Sequence, residues 1–448
     1  MKHNLFFSTA NKGTKIYDIL IGSTFLHANK SKDLVLLYKD QTTSDNSLRG
    51  FSFGVLTLLL KSLLIALFSP NNVSLIRYRD ISIGRYAVST AYRSFDAYNN
   101  RIIFILKYLK SIYRCAQIIQ GIEHYKQNID SAFIDHGCYE NGVYFDIFSK
   151  LGIAIYFNDY PFGLVRWEPS EAGGYETALQ VNNYKVSPAD LAMGKKELKL
   201  RTKDSNKISY LSVDFENYSS NQQFDYIIYA HSFTDAQNIY GYDGAFNNVM
   251  EWLEFTLNQL DSAKVCVKAH PGIYLEGCSS QVVDWDRRLF AKLTTKYKNK
   301  KNIHIIDYAI TNLDLLNSIS KKTILVSHHS NALLEGGSLG FKCICSKAST
   351  WSNFTLFNSW ENRDMYQRLL SLPFQDLSET NQTELFRYYF ILHYGEASFF
   401  SSHWLEQIAK IIDMDYKHLF IDATCIEDLS PQIVDRCIEN ISAGLVTC

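Results

Sequence analysis

Residues 326–344, VSHHSNALLEGGSLGFKCI, set His328, His329, Ser330 and Asn331 ahead of Glu335 and three glycines, between two apolar runs. Ser330 or Asn331 can cap a helix that begins there, and the free N–H groups of that helix start favour a phosphate. Glu335, five residues after Ser330, can accept hydrogen bonds from vicinal ribose hydroxyls. Gly336, Gly337 and Gly340 permit close packing on a sheet, at a helix-propensity cost of about 1 kcal/mol each relative to alanine. Two further runs end in the same way. YAHSFTD (229–235) delivers His231, Ser232 and Asp235, and VKAHP (267–271) delivers Lys268 and His270 ahead of Pro271. Each of these residues alone reads more readily as a turn, a cap or a satisfied surface group. Together, at the ends of consecutive strand-like runs, they read as a site. His270, with Lys268 adding charge, suits a ligand phosphate, Asp235 is the leading reacting carboxylate, and His329, Ser330, Asn331 and Glu335 suit the binding of a nucleotide.

The elements that must position these residues are visible as apolar runs. After residue 207 they occur at 208–213, 224–232, 263–271, 302–308, 322–330 and 341–346, with helix-like stretches at 246–260 and 284–300. Strands alternating with helices predict a parallel sheet covered on both faces, with ligands just beyond the carboxyl ends of its strands. In the first half, 131–137 and 152–157 read as strands, 33–38 and 72–84 as further apolar runs, and 101–129 as one long helix. Between about 165 and 207 the pattern fails in a polar, Gly- and Lys-rich stretch, which is expected to connect two domains. The fold class expected is α/β with two Rossmann-like domains, 1–205 and 206–395, a cleft between them, and a helical segment 396–448.

At 448 residues the chain has room for two cores. A net charge of −1 removes the field on which non-specific nucleic-acid binding depends. The nine cysteines contain no CxxC pair and no zinc spacing. Cys343 and Cys345 read as buried thiols, which implies a reducing, cytoplasmic compartment. No secretory signal is read at the N-terminus. The run 51–68 carries one charge, Lys61. A buried helix is the first expectation for it, an interfacial helix the second and a membrane span the third.

VKAHP followed by SHHSNALLEGGSLGFKCI resembles the K-x-H-P and S-[ST]-x-x-x-x-E-x-x-x-x-G signature of bacterial capsule and surface-polysaccharide glycosyltransferases with the GT-B architecture. Residues 229–257 and 79–95 resemble two further blocks of those proteins. The resemblance implies transfer of a sugar from a nucleotide-activated donor to a glycan or glycolipid acceptor, at or near the inner face of a membrane. The nearest subset is the retaining β-Kdo transferases, which use CMP-Kdo and in which an aspartate matching Asp235 forms a glycosyl adduct. The asparagine and tryptophan expected near that aspartate are replaced here by His231 or Ser232 and by Thr234. A teichoic-acid-type transferase of CDP-alcohol phosphates and a scaffold without catalysis stay open as alternatives. No Asp-x-Asp motif follows these strand ends, so no essential metal and no further cofactor is expected. Asp135, Glu140, Asp159 and Glu168 are unranked candidates for a second carboxylate, and Arg93 and His136 for holding an anionic acceptor.

Overall fold

The computed structural model of the chain describes residues 4–8, 34–38, 53–125, 129–134, 139–159, 163–167, 185–203, 223–234, 245–274, 281–347, 351 and 354–394. The expected runs 208–213 and 396–448 lie outside these residues.

The first unit contains β1 (Asn4–Ser8), β2 (Leu34–Tyr38), a short hairpin of β3 (Arg77–Tyr78) and β4 (Ile81–Ser82), β5 (Ile129–Ile134), β6 (Ala154–Asp159) and β7 (Gly163–Trp167). Its sheet has the order β2-β1-β5-β6-β7, parallel except for β7 against β6. The run 72–84 forms a 3-10 turn and this tight hairpin, with Arg79 and Asp80 at φ 47° and 64°. The long helix expected from 101 spans Arg101–Tyr125 and buries Tyr108, Ile112, Cys115, Ile119 and Ile122 at helical spacing. Tyr108 ties it to the 3-10 turn by donating to the Val73 carbonyl at 2.8 Å.

Helix Phe53–Phe68 corrects the first expectation for 51–68. Val55, Leu58, Ser62 and Ala66 are buried against the long helix, while Phe53, Leu56, Leu60, Leu64, Leu67 and Phe68 face solvent. No helix among the described residues is long and apolar enough to cross a membrane.

The second unit holds β8 (Tyr226–Tyr229), β9 (Val265–Lys268), β10 (Ile303–Ile306), β11 (Ile324–Ser327), β12 (Lys342–Ser346) and β13 (Asn358–Trp360). All six run parallel in the order β10-β9-β8-β11-β12-β13. Counted from β8, that is the doubly wound order 3-2-1-4-5-6, so the strand sequence reverses direction between β8 and β11. Every residue of β8, β9, β11 and β12 is buried, as parallel strands covered on both faces require. Helices Val249–Gln259 and Gln281–Tyr297 cover one face through Trp252, Leu253, Leu257, Leu289 and Leu293. Helices Asn312–Ser318, Asn331–Ser338 and Gln382–Tyr394 pack on the other.

The polar stretch expected as a connection contains a helix of its own, Pro188–Lys203, whose Leu198 belongs to the second unit's core. It crosses helix Gln382–Tyr394 so closely that a Cβ on Gly194 would stand 2.0 Å from the Phe386 carbonyl oxygen. Only glycine permits that approach.

The units meet beside the end of β8. Tyr98 donates to the Phe233 carbonyl, Lys292 Nζ donates to Asn99 Oδ1 at 2.6 Å, and the Arg288 guanidinium lies 3.9 Å from the Phe95 ring centroid.

Candidate functional site

Strand register decides which residues share a rim. Tyr229, the last residue of β8, is paired with Lys268 on one side and Ser327 on the other. The three chains therefore leave the sheet together, and their next residues, 230–234, 269–271 and 328–331, surround the switch point.

The 230–234 turn is fixed from beneath by a residue that the sequence reading did not single out. Asp286, in helix Gln281–Tyr297, is 4% exposed. It accepts from Ser232 Oγ, from the Thr234 N–H at 2.9 Å and from Thr234 Oγ1 at 2.7 Å. Asp286 stands on the helical face of Leu289, Phe290 and Leu293, all buried, and an acid on an apolar stripe was the available signal. Asp235, the next residue in the chain, lies outside the described residues, as do Asp135, His136 and Glu168.

Three imidazoles gather at the rim. The His231 ring is 5.5 Å from that of His270 and 6.2 Å from that of His329. His231 Nδ1 lies 3.2 Å from the Ser232 carbonyl oxygen, which can only accept, so the proton is on Nδ1. His270 Nδ1 instead accepts from the Gly272 N–H at 3.1 Å, which puts its proton on Nε2. One ring thus offers a base and its neighbour a donor. β9 ends at Lys268 and Pro271–Tyr274 is a 3-10 turn, so strand alternation does not carry on to His270. The hydrogen bond from Gly272 orients that ring instead. His329 is buried, stacked on Trp351 at 5.0 Å and 13°. Burial, followed by His231 and His328, pushes its pKa well below the usual imidazole range.

Lys268 is buried beneath this rim. Burial lowers its pKa to about 8, against the opposing attraction of Glu335. Glu335 is 6% exposed and accepts from Asn312 Nδ2 at 2.7 Å. Its helix, Asn331–Ser338, is capped by Ser330, whose Oγ accepts from the Ala332 N–H at 3.2 Å. Asn331, the other residue considered for the cap, is the first helical residue and exposed.

The remaining described candidates belong to the first unit. Glu140 is paired with Arg114 at 3.4 Å, Arg93 lies over the Tyr139 ring at 4.3 Å, and Asp159 ends β6 opposite Gly163 of β7. Cys115, Cys266, Cys343 and Cys345 are free and buried. Among the described residues no group of three or more His, Cys, Asp or Glu side chains is arranged to hold a metal ion.

No protein-family profile matches the chain, and no curated protein matches it. Solved structures with overlapping folds include KpsC of Thermosulfurimonas dismutans, a β-Kdo 2,4 transferase, at 12% identity and TM-score 0.36 over 58% of this chain and 79% of that one. A UDP-GlcNAc 2-epimerase of Methanocaldococcus jannaschii, with UDP-GlcNAc and UDP, overlaps at 13% identity and TM-score 0.28 over 88% and 100%. Anabaena Alr3699/HepE, with UDP, overlaps at 9% identity and TM-score 0.27 over 92% and 99%.

Proposed function

We propose that the chain is a glycosyltransferase whose nucleotide-activated donor sits at the switch point between β8 and β11. The observation that carries this reading is the convergence of Lys268, His270, His231 and the Ser330 helix start on one rim of a doubly wound sheet. A sugar leaving its nucleotide deposits negative charge on the departing phosphate. Lys268, the Nε2–H of His270 and the N–H groups at the start of helix Asn331–Ser338 are the groups that stabilise it.

The finer assignment, Kdo from CMP-Kdo to a capsular or lipopolysaccharide-type glycan, rests on the resemblance of VKAHP and SHHSNALLEGGSLG to the transferases that use it. In that reading the Asp235 carboxylate bonds to the anomeric carbon as the carbon–phosphate-oxygen bond breaks, its electron pair leaving on the phosphate. The acceptor hydroxyl then displaces Asp235, which leaves as its carboxylate, and passes its proton to a base, for which His231 Nε2 is at hand. For an inverting outcome Asp235 removes that proton directly, and His231 Nε2 is the second base at hand. Asp286, by holding Ser232 and Thr234, sets the turn from which Asp235 follows.

The test incubates the full chain with CMP-, CDP- and UDP-activated donors and measures nucleotide release and binding. Release of CMP from CMP-Kdo that Asp235→Ala abolishes is the expected result. Asp261→Ala, which removes only an exposed ion pair with Lys300 at 2.7 Å, retains it. Transfer of an alcohol phosphate from a CDP carrier replaces this reading by the teichoic-type one, and no binding of any nucleotide leaves the scaffold.

A further inference from the structure

Among the described residues, half of the exposed large apolar side chains stand on one helix, Phe53–Phe68, which the donor site does not use. Phe53 and Phe68 are 85% and 78% exposed, and Leu60 and Leu64 each 55%. The surface continues onto the long helix beside it. Arg101 donates to the Leu67 carbonyl at 2.6 Å and the Ala66 carbonyl at 3.1 Å, which places exposed Ile102 and Leu106 next to the end of the shorter helix. Monomeric surfaces rarely leave so many large aliphatic and aromatic side chains uncovered together.

The charges that the two helices carry along this face are of one sign. Lys61 lies on the exposed side of the shorter helix, Lys110 follows Ile102 and Leu106 at helical spacing, and Arg101 and Lys107 flank them. Residues 53–79 and 101–122 contain no Asp or Glu. Glu123, the first carboxylate after the second stretch, is paired with Arg79. A protein interface of this size carries hydrogen-bonding groups among its apolar ones, whereas here the exposed side chains of the shorter helix are Leu, Phe, Thr and Lys. Its sixteen residues extend about 24 Å, short of a hydrocarbon core of about 30 Å. Apolar side chains on one side of a short helix, lysine and arginine at its borders and no carboxylates are what a surface lying in the plane of an anionic bilayer requires.

We infer that the Phe53–Phe68 helix and the start of the Arg101–Tyr125 helix form a docking face for the surface of an anionic lipid bilayer. The face lies in the first unit and uses none of the rim's residues, so the inference stands or falls independently of the donor. It offers the first unit a fixed seat on the surface where a lipid-linked acceptor would reside.

The test is flotation of the full chain with vesicles of phosphatidylcholine alone or containing about 30% phosphatidylglycerol. The chain floats with the anionic vesicles, and added salt weakens that association. Leu60→Glu with Leu64→Glu lowers the bound fraction about tenfold or more while circular dichroism and melting stay unchanged, because both side chains are already in solvent. Lys61→Glu with Lys110→Glu leaves the apolar face intact and removes the preference for phosphatidylglycerol. A chain that stays unbound with both vesicles overturns the inference, as does equal binding to both or flotation of the Leu60/Leu64 variant like the native chain. Light scattering that finds a dimer dissociated by the same two glutamates, without flotation, assigns the face to a second copy and equally overturns it.

Discussion

The two rims of the second sheet each bury a lysine, and the two lysines are treated differently. At the amino rim Lys342 opens β12 and donates to the Phe374 carbonyl at 2.9 Å and the Leu377 carbonyl at 2.7 Å, with Glu379 3.2 Å away. Thr323 and Asp225 close the same edge by bonding the Phe224 carbonyl and the Lys264 N–H. At the carboxyl rim Lys268 ends β9 with a pKa pushed down to about 8, beside three imidazoles and a buried glutamate. One rim uses its charges to tie chain to chain. The other keeps a costly charge where a ligand phosphate would complete it, which is the pattern of a binding site.

The comparison breaks most sharply on the lysines themselves. Lys268→Met is expected to weaken donor binding about a hundredfold, the scale of a lost charge-assisted contact, measured by titration calorimetry. It leaves the fold as stable or more so at neutral pH. Lys342→Met leaves donor affinity unchanged and costs about 2 kcal/mol in urea denaturation, because two carbonyls lose their donor. Alkaline pH separates them again. Burial lowers Lys268 from 10.5 to about 8, so between those values the unfolded chain holds a proton that the folded chain has released, and stability rises with pH across that window. The rise, about 3 kcal/mol at most, is absent from Lys268→Met. If both variants lose stability and neither loses affinity, the rims do not differ in kind.

Two aspartates give the next contrast. Asp286 is buried and serves three donors of the 230–234 turn, whereas Asp225 accepts the Lys264 N–H at an exposed edge. Asp286→Ala is expected to cost about 2 kcal/mol by leaving Ser232 and Thr234 without their acceptor, and to lower kcat without abolishing donor binding. Asp225→Ala costs about 0.5 kcal/mol. Equal losses in the two would remove Asp286 from any special role in holding that turn.

What the sequence disclosed follows the same division. The strands of the second sheet were legible because parallel strands buried on both faces must be apolar throughout, as YIIY, VCVK, ILVS and KCICS are. The polar residues after them then stood out as a rim. β13 was not legible, since Asn358–Trp360 is three residues long and starts with two polar side chains. Helix Pro188–Lys203 was read as a connection because its polar face is charged and its contact with Phe386 is made by Gly194, a residue that otherwise marks a break. Burial of 51–68 was misjudged because hydrophobicity alone does not say what stands ready to cover a face.

Acid probes the rim from its buried side. His329, stacked on Trp351, has its pKa pushed well below the ordinary imidazole value of 6.5. As pH falls below 6.5 the unfolded chain takes up a proton that the folded chain refuses, so stability declines. His329→Phe removes that component of the decline while keeping a ring against Trp351. The variant's melting temperature should therefore fall less than the native one between neutral and mildly acid pH. Identical slopes would show that His329 accepts the proton in place and that its stacking does not exclude charge.

The smallest effect separates capping from recognition at a single atom. Ser330 Oγ accepts from the Ala332 N–H and starts the helix. Ser330→Ala should cost about 1 kcal/mol and Ser330→Gly a few tenths. If the hydroxyl serves only the helix, donor affinity follows that order and the glycine variant stays near native. If donor phosphate displaces Ala332 and takes the hydroxyl for itself, both variants lose affinity equally despite their different stabilities. Thr311, which follows the edge strand β10 on the same rim and caps helix Asn312–Ser318 through the Asp314 N–H at 3.0 Å, supplies the reference. Thr311→Ala pays the capping cost alone, so any loss of affinity at Ser330 beyond the loss at Thr311 is owed to the ligand.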